Sequence, residues 1–155
     1  MVPRWMLLAA LAWPLSAPAL AWQVPPEGLL VLVVRHAEKA QDLLLNLPLA
    51  AAYATPFRRT QLTARPVAAA QGIEVEVREF VSRDPDEDAR ALRETLLRAH
   101  RGEAVLVVGH SNTVPAIVEA LSGEEAEAMP ESEYDRLSLI RIESDGRAEL
   151  RVERY

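Results

Sequence analysis

The 155-residue chain has no cysteine and three histidines. Thiol nucleophiles, thiolate metal sites and disulfides are therefore excluded, and imidazole chemistry falls to His36, His100 or His110. Two of the three stand in polar company. His36 directly follows Arg35, and His110 opens the run His110-Ser111-Asn112. Between them in sequence lies the pair Arg58-Arg59. Guanidinium forks match the oxygens of phosphate, and a neutral imidazole is a competent nucleophile, so these residue types suit an oxyanion. His100 falls in the last turn of a predicted helix, where a histidine answers the helix dipole, and it is assigned no chemistry.

The elements that must position these residues are readable from apolar runs and helix signals. Leu29 to Val34 is unbroken and valine-rich, as in a strand covered on both faces, and Val105 to Val108 repeats the pattern. Leu49 to Ala54 is a weaker version, and Ile73 to Val77 alternates like a strand with one wet face. Thr55-Pro56 predicts a capped helix start, with an alanine-rich helix running to Gln71-Gly72 and kinked or ended by Pro66. Asp84-Pro85-Asp86-Glu87 predicts a second capped start, from which Ala89, Leu92, Leu96 and Ala99 form one face. A third helix is expected from Asn112 or Thr113 to Ser122-Gly123, followed by an acidic loop over Glu124 to Glu133. Arg136 to Ile142 and Ala148 to Glu153 then read as a hairpin turning at Ser144-Asp145-Gly146. Alternating strands and helices predict a three-layer α/β/α sandwich on a mainly parallel sheet. In such a sheet ligands bind beyond the carboxyl ends of the strands. That rule brings Arg35, His36, Arg58 or Arg59, and His110 to one rim, beside two helix N-termini.

Half of the residues are hydrophobic, and 17 Lys and Arg stand against 23 Asp and Glu for a net charge of −6. An acidic chain with no basic run is a poor binder of nucleic acid. Residues 1–21 read as a cleavable export signal. Arg4 supplies a positive start, Trp5 to Leu15 an apolar stretch too short to span a bilayer, and Ala19-Leu20-Ala21 a small-residue cleavage site. The remaining domain is residues 22–155, expected outside the cytoplasm, periplasmic in a two-membrane bacterium, with no transmembrane segment.

Three motifs occur in order, each after a strand: Val33-Val34-Arg35-His36-Ala37-Glu38, Ala54-Thr55-Pro56-Phe57-Arg58-Arg59-Thr60 and Val107-Val108-Gly109-His110-Ser111. Together they resemble the histidine phosphatase superfamily, with its phosphoglycerate-mutase-like fold. The resemblance implies a metal-independent, cofactor-free phosphomonoesterase with His36 as the nucleophile that accepts the phosphoryl group. It places Arg35, Arg59 and His110 on the phosphoryl oxygens, with Ser111 and Asn112 as further donors. Arg59 is favoured over Arg58 because it directly precedes Thr60. Glu79, after the next strand, stands where the family takes its general acid, with Asp84 as rival. The implied substrate is a phosphorylated small molecule or envelope sugar. A phosphate-binding relative without turnover and a phosphohistidine-protein phosphatase are the alternatives. Only Lys39 to Pro48 separates the first motif from the next strand, so the first helix is expected to be short, and Leu62 stands where relatives carry Gln or Glu.

Overall fold

The computed structural model describes residues 23–45, 47–79 and 84–155; the export signal expected over 1–21 lies outside them. Ten elements follow one another: β1 (Leu29–Arg35), α1 (Glu38–Leu44), β2 (Ala51–Ala54), α2 (Arg58–Gln71), β3 (Val75–Val77), α3 (Pro85–Ala99), β4 (Glu103–Gly109), α4 (Val114–Ser122), β5 (Arg136–Ile142) and β6 (Ala148–Arg154). The strands form one six-stranded sheet in the order β3-β2-β4-β1-β5-β6. The pairs β3–β2, β2–β4 and β4–β1 are parallel, while β1–β5 and β5–β6 are antiparallel. The sheet is therefore mixed, with the terminal hairpin supplying the antiparallel edge.

The apolar continuity of β1 has its reason in two cores. Leu29, Val31 and Val33 point into a cluster with Leu92 and Leu96 of α3 and Ile117 and Leu121 of α4. Leu30, Leu32 and Val34 point to the opposite face, into a cluster with Leu44 of α1 and Ala64 and Val67 of α2. Alternate residues of one strand thus feed both layers. α3 begins as predicted, with the Asp84 carboxylate accepting from the Asp86 amide at 2.9 Å and Pro85 in the first turn. Its apolar face ends at Leu96; Ala99, the last helical residue, is exposed. Among the described residues no helix is long and apolar enough to cross a membrane.

α2 departs from the predicted form in two places. It starts at Arg58 with Phe57 as N-cap and no side-chain cap, because the Thr55 hydroxyl is engaged with Thr60 and His110 instead. It also runs through Pro66 without ending. Proline has no N–H to give to the carbonyl four residues back. That carbonyl, on Leu62, accepts from Gln41 Nε2 of α1 at 3.0 Å. The short first helix therefore supplies the donor that the proline removes, and a second amide, Gln71 Nε2, ties α2 to Leu45 O at 3.3 Å.

Candidate active site

The carboxyl ends of β1, β2 and β4 lie side by side, since Arg35 pairs with Gly109 and Ala54 with Val108. The His36 amide continues the ladder to Gly109 O at 3.1 Å. Immediately beyond, the His36 and His110 rings meet edge to face with centroids 5.6 Å apart. Gly109 is what lets the chain turn here: a Cβ would lie 2.9 Å from Thr113 Oγ1 and 3.2 Å from Val114 Cγ2. The Thr113 hydroxyl takes the His110 amide at 2.9 Å, and the Thr113 and Val114 amides bond His110 O. Those two amides, at the start of α4, are therefore committed to holding His110.

His110 is buried, and its Nε2 sits 2.8 Å from Thr55 Oγ1, which is itself 2.8 Å from Thr60 Oγ1. Thr60 in turn donates to the carbonyls of Thr55 and Phe57. This chain orients the ring and leaves His110 Nδ1 buried with no partner among the described residues. Burial, then the positive charge of Arg59, of His36 when it is protonated, and of Arg35, depress the His110 pKa to about 4. His36 is half-buried and shifted the same way, by burial first and then by Arg59 and Arg35, with the Glu131 carboxylate pulling in the opposite direction. Both imidazoles are neutral at neutral pH.

The two arginines differ. Arg59, in the first turn of α2, is exposed, with its guanidinium carbon 5.4 Å from the centroid of the Phe57 ring. Arg35 is 3% exposed. Its Nη1 donates to the carbonyls of Pro130, Glu131 and Glu133, and its Nη2 to Glu131 Oε2 at 3.1 Å and Tyr134 Oη at 3.1 Å. The Tyr134 ring also stacks under the guanidinium at 3.9 Å. Of the three guanidinium nitrogens of Arg35, Nε alone is buried with no partner among the described residues. Arg35 thus serves as the internal frame of the loop between α4 and β5, a role the sequence does not announce.

Cavities open on both sides of this centre. One of about 1070 Å³ is lined by His36, Lys39, Arg59, Tyr134, Asp135 and Tyr155, among others. A smaller one, about 380 Å³, is lined by Phe57, Arg59, Glu79, His110 and Asn112, among others. Arg59 belongs to both, so the expected site residues His36, Arg59, His110, Glu79 and Asn112 do converge. Arg58 lines neither cavity. Asp84 caps α3. His100 bridges Tyr53 Oη at 2.6 Å and Glu103 Oε2 at 2.8 Å on the α3 side of the sheet, away from this centre. Ser111 Oγ donates to Glu131 Oε1 at 2.5 Å. Ser111 foremost, then Arg35, holds the Glu131 carboxyl below its usual range. Sequence reasoning missed Glu131, Tyr134 and the Thr55–Thr60 pair; the first two sit in an irregular loop whose partner, Arg35, is distant in sequence. Among the described residues no three His, Asp or Glu side chains gather as a metal-ion cage.

No curated protein matches the chain. Among solved structures, a putative α-ribazole-5′-P phosphatase from Escherichia coli superposes with a TM-score of 0.64 at 18% identity, covering 82% of this chain and 97% of that one. A mycobacterial glucosyl-3-phosphoglycerate phosphatase complexed with VO3 gives 0.62 at 13% identity, covering 81% and 98%. The protein histidine phosphatase SixA, complexed with tungstate, gives 0.57 at 15%, covering 81% and 96%. At these identities the likeness is one of fold. The family model for the histidine phosphatase superfamily (branch 1) matches residues 29–81 and 83–154. With nearly every described element inside that match, the chain belongs to the histidine phosphatase superfamily, branch 1, whose members are phosphatases and mutases.

Proposed function

We propose that the protein is a metal-independent phosphomonoesterase that works through a phosphohistidine at His36. The observation that carries this reading is that two of the five buried polar atoms without a partner among the described residues, Arg35 Nε and His110 Nδ1, belong to the residues that flank His36. Buried polar atoms are rarely left unpaired, and the oxygens of a phosphoryl group would satisfy both. Vanadate and tungstate, bound in two proteins of the same fold, are oxyanions of the same kind.

Neutral His36 attacks phosphorus, the P–O bond to the leaving group breaks, and the leaving oxygen takes a proton from Glu79. Water then attacks the phosphohistidine, giving up its proton to Glu79, and inorganic phosphate leaves with His36 restored. Arg59 and Arg35 stabilise the charge on the transferring oxygens throughout. Splitting one displacement into two is the gain from a covalent intermediate. The substrate is a phosphorylated small molecule or envelope sugar, and the expected leader at 1–21 puts the reaction outside the cytoplasm.

Rapid acid-free quenching and denaturation with a labelled aryl phosphate tests this. Wild type should trap acid-labile, base-stable label, and His36→Ala should show neither label nor turnover. Equal turnover in the two chains would remove His36 from the mechanism. Binding of vanadate by wild type with neither turnover nor label would make the protein a phosphate binder.

A further inference from the structure

The seat that the proposed reaction requires already holds an anion of the protein's own. Glu131 Oε1 accepts from Ser111 Oγ at 2.5 Å, and Oε2 accepts from Arg35 Nη2 at 3.1 Å. These are two of the donors expected to receive phosphoryl oxygens. The carboxylate also feels Arg59 and acts on His36 through space. The larger cavity is lined not by Glu131 but by two other carboxylates, of which Asp135 is paired with Arg154 at 2.8 Å. The other, Glu38, makes no hydrogen bond to Ser111 or Arg35 among the described residues. Glu79 lies in the smaller cavity.

We infer that Glu131 is an internal competitor for the phosphoryl group, a carboxylate plug that must swing out before substrate binds. This rests on the phosphate-binding reading above and adds a displaceable group to it. The anchoring of the residue fits such a swing. Its carbonyl is fixed to Arg35 Nη1 at 2.8 Å, so the backbone stays in place, while the side chain is 85% exposed. Among the described residues only the two seat donors hold the carboxylate, and solvent is free to receive it. When only the open form binds, the apparent dissociation constant is the intrinsic one divided by the open fraction. Removing the plug therefore strengthens every oxyanion that uses the seat by one common factor. For a solvated ion pair reinforced by one hydroxyl that factor is about three- to tenfold. A group acting in catalysis would behave differently, since its removal lowers kcat.

The test compares the wild-type chain with Glu131→Ala and Glu131→Gln, by calorimetric titration with inorganic phosphate and with tungstate, and by steady-state hydrolysis of an aryl phosphate. Glu131→Ala should tighten both oxyanions by the same factor and lower KM by that factor, with kcat unchanged. Glu131→Gln should give a smaller gain, because its amide oxygen still accepts one bond. Unchanged or weaker binding of both oxyanions in both variants overturns the plug, as does a fall in kcat. Tighter binding without turnover in any chain supports the plug and removes the phosphomonoesterase reading. Failure of every chain to bind either oxyanion overturns the seat and the plug together.

Discussion

In the proposed mechanism His36 attacks only as a neutral imidazole, and its neighbours set the pH at which that form dominates. Burial, Arg59 and Arg35 push its pKa below the ordinary 6.5, so kcat/KM should hold as the pH falls through 6.5 and decline only below it. Arg59→Ala removes the larger of the two cationic contributions. Its acidic limb should move to higher pH while the rate falls by roughly 30- to 1,000-fold, the loss of one charge-assisted contact in a transition state. Both are read from one pH–rate profile; an unmoved limb would mean that Arg59 does not face His36. The type and order of these residues are visible in the sequence, because His36 follows the buried strand β1 directly and Arg59 stands in the first turn of the helix that follows β2. Arg35 is legible only in part. That it sits beside His36 follows from adjacency, but its guanidinium is aimed by carbonyls of residues 130–133, and no local pattern encodes a partner so far along the chain.

The helices and loops show where local signals compete with tertiary ones. Pro66 reads as a kink or an end, and α2 continues through it, with Gln41 replacing the missing donor at Leu62 O. Gln41→Ala should lower stability by about 0.5–1.5 kcal/mol, one net hydrogen bond. In a Pro66→Ala background, the restored amide can serve Leu62 O, and the same change should cost less. Urea midpoints for the four chains give the coupling directly; strict additivity would deny Gln41 this role. The loop from Glu124 to Glu133 is irregular, as its acidic composition predicts. Its order comes from two buried arginines. Arg136 donates to the carbonyls of Glu127 and Ala128 and to the Glu133 carboxylate, while Arg35 takes the carbonyls of Pro130, Glu131 and Glu133. Side-chain donors there do what a ladder does elsewhere, and no periodicity betrays them.

For the molecule as a whole, the buried neutral His110 couples folding to pH. Its pKa drops from 6.5 to about 4 on folding, so between these values the unfolded chain binds a proton that the native one refuses. Stability from this group is complete above pH 6.5 and is lost as the pH falls toward 4. His110 lines an open cavity of about 380 Å³, and screening there reduces the effect to about 1–2 kcal/mol. Between pH 7 and pH 4.5 wild type should lose that much more than His110→Asn, measured by chemical denaturation at each pH. Parallel slopes would show that His110 protonates freely in the native state. Addressing is also a property of the whole chain. Expressed in a two-membrane bacterium, the protein should be recovered by osmotic shock with Trp22 at its N-terminus, and an intact Met1 chain in the cytosol would refute the leader.

The place of β1 in the sheet has a kinetic consequence. This strand is the first to be made, yet Leu29 pairs with Glu103 on one side and with Ile142 on the other. Neither neighbour exists until most of the chain has been synthesised, and loop-closure entropy must be met before either pairing stabilises anything. The nascent chain therefore emerges with its most apolar segment unpartnered. Such a topology folds late and as one unit, on the slow side for a domain of this size, and the waiting strand is exposed to aggregation meanwhile. The same delay keeps the chain in an extended, threadable form for as long as its synthesis lasts.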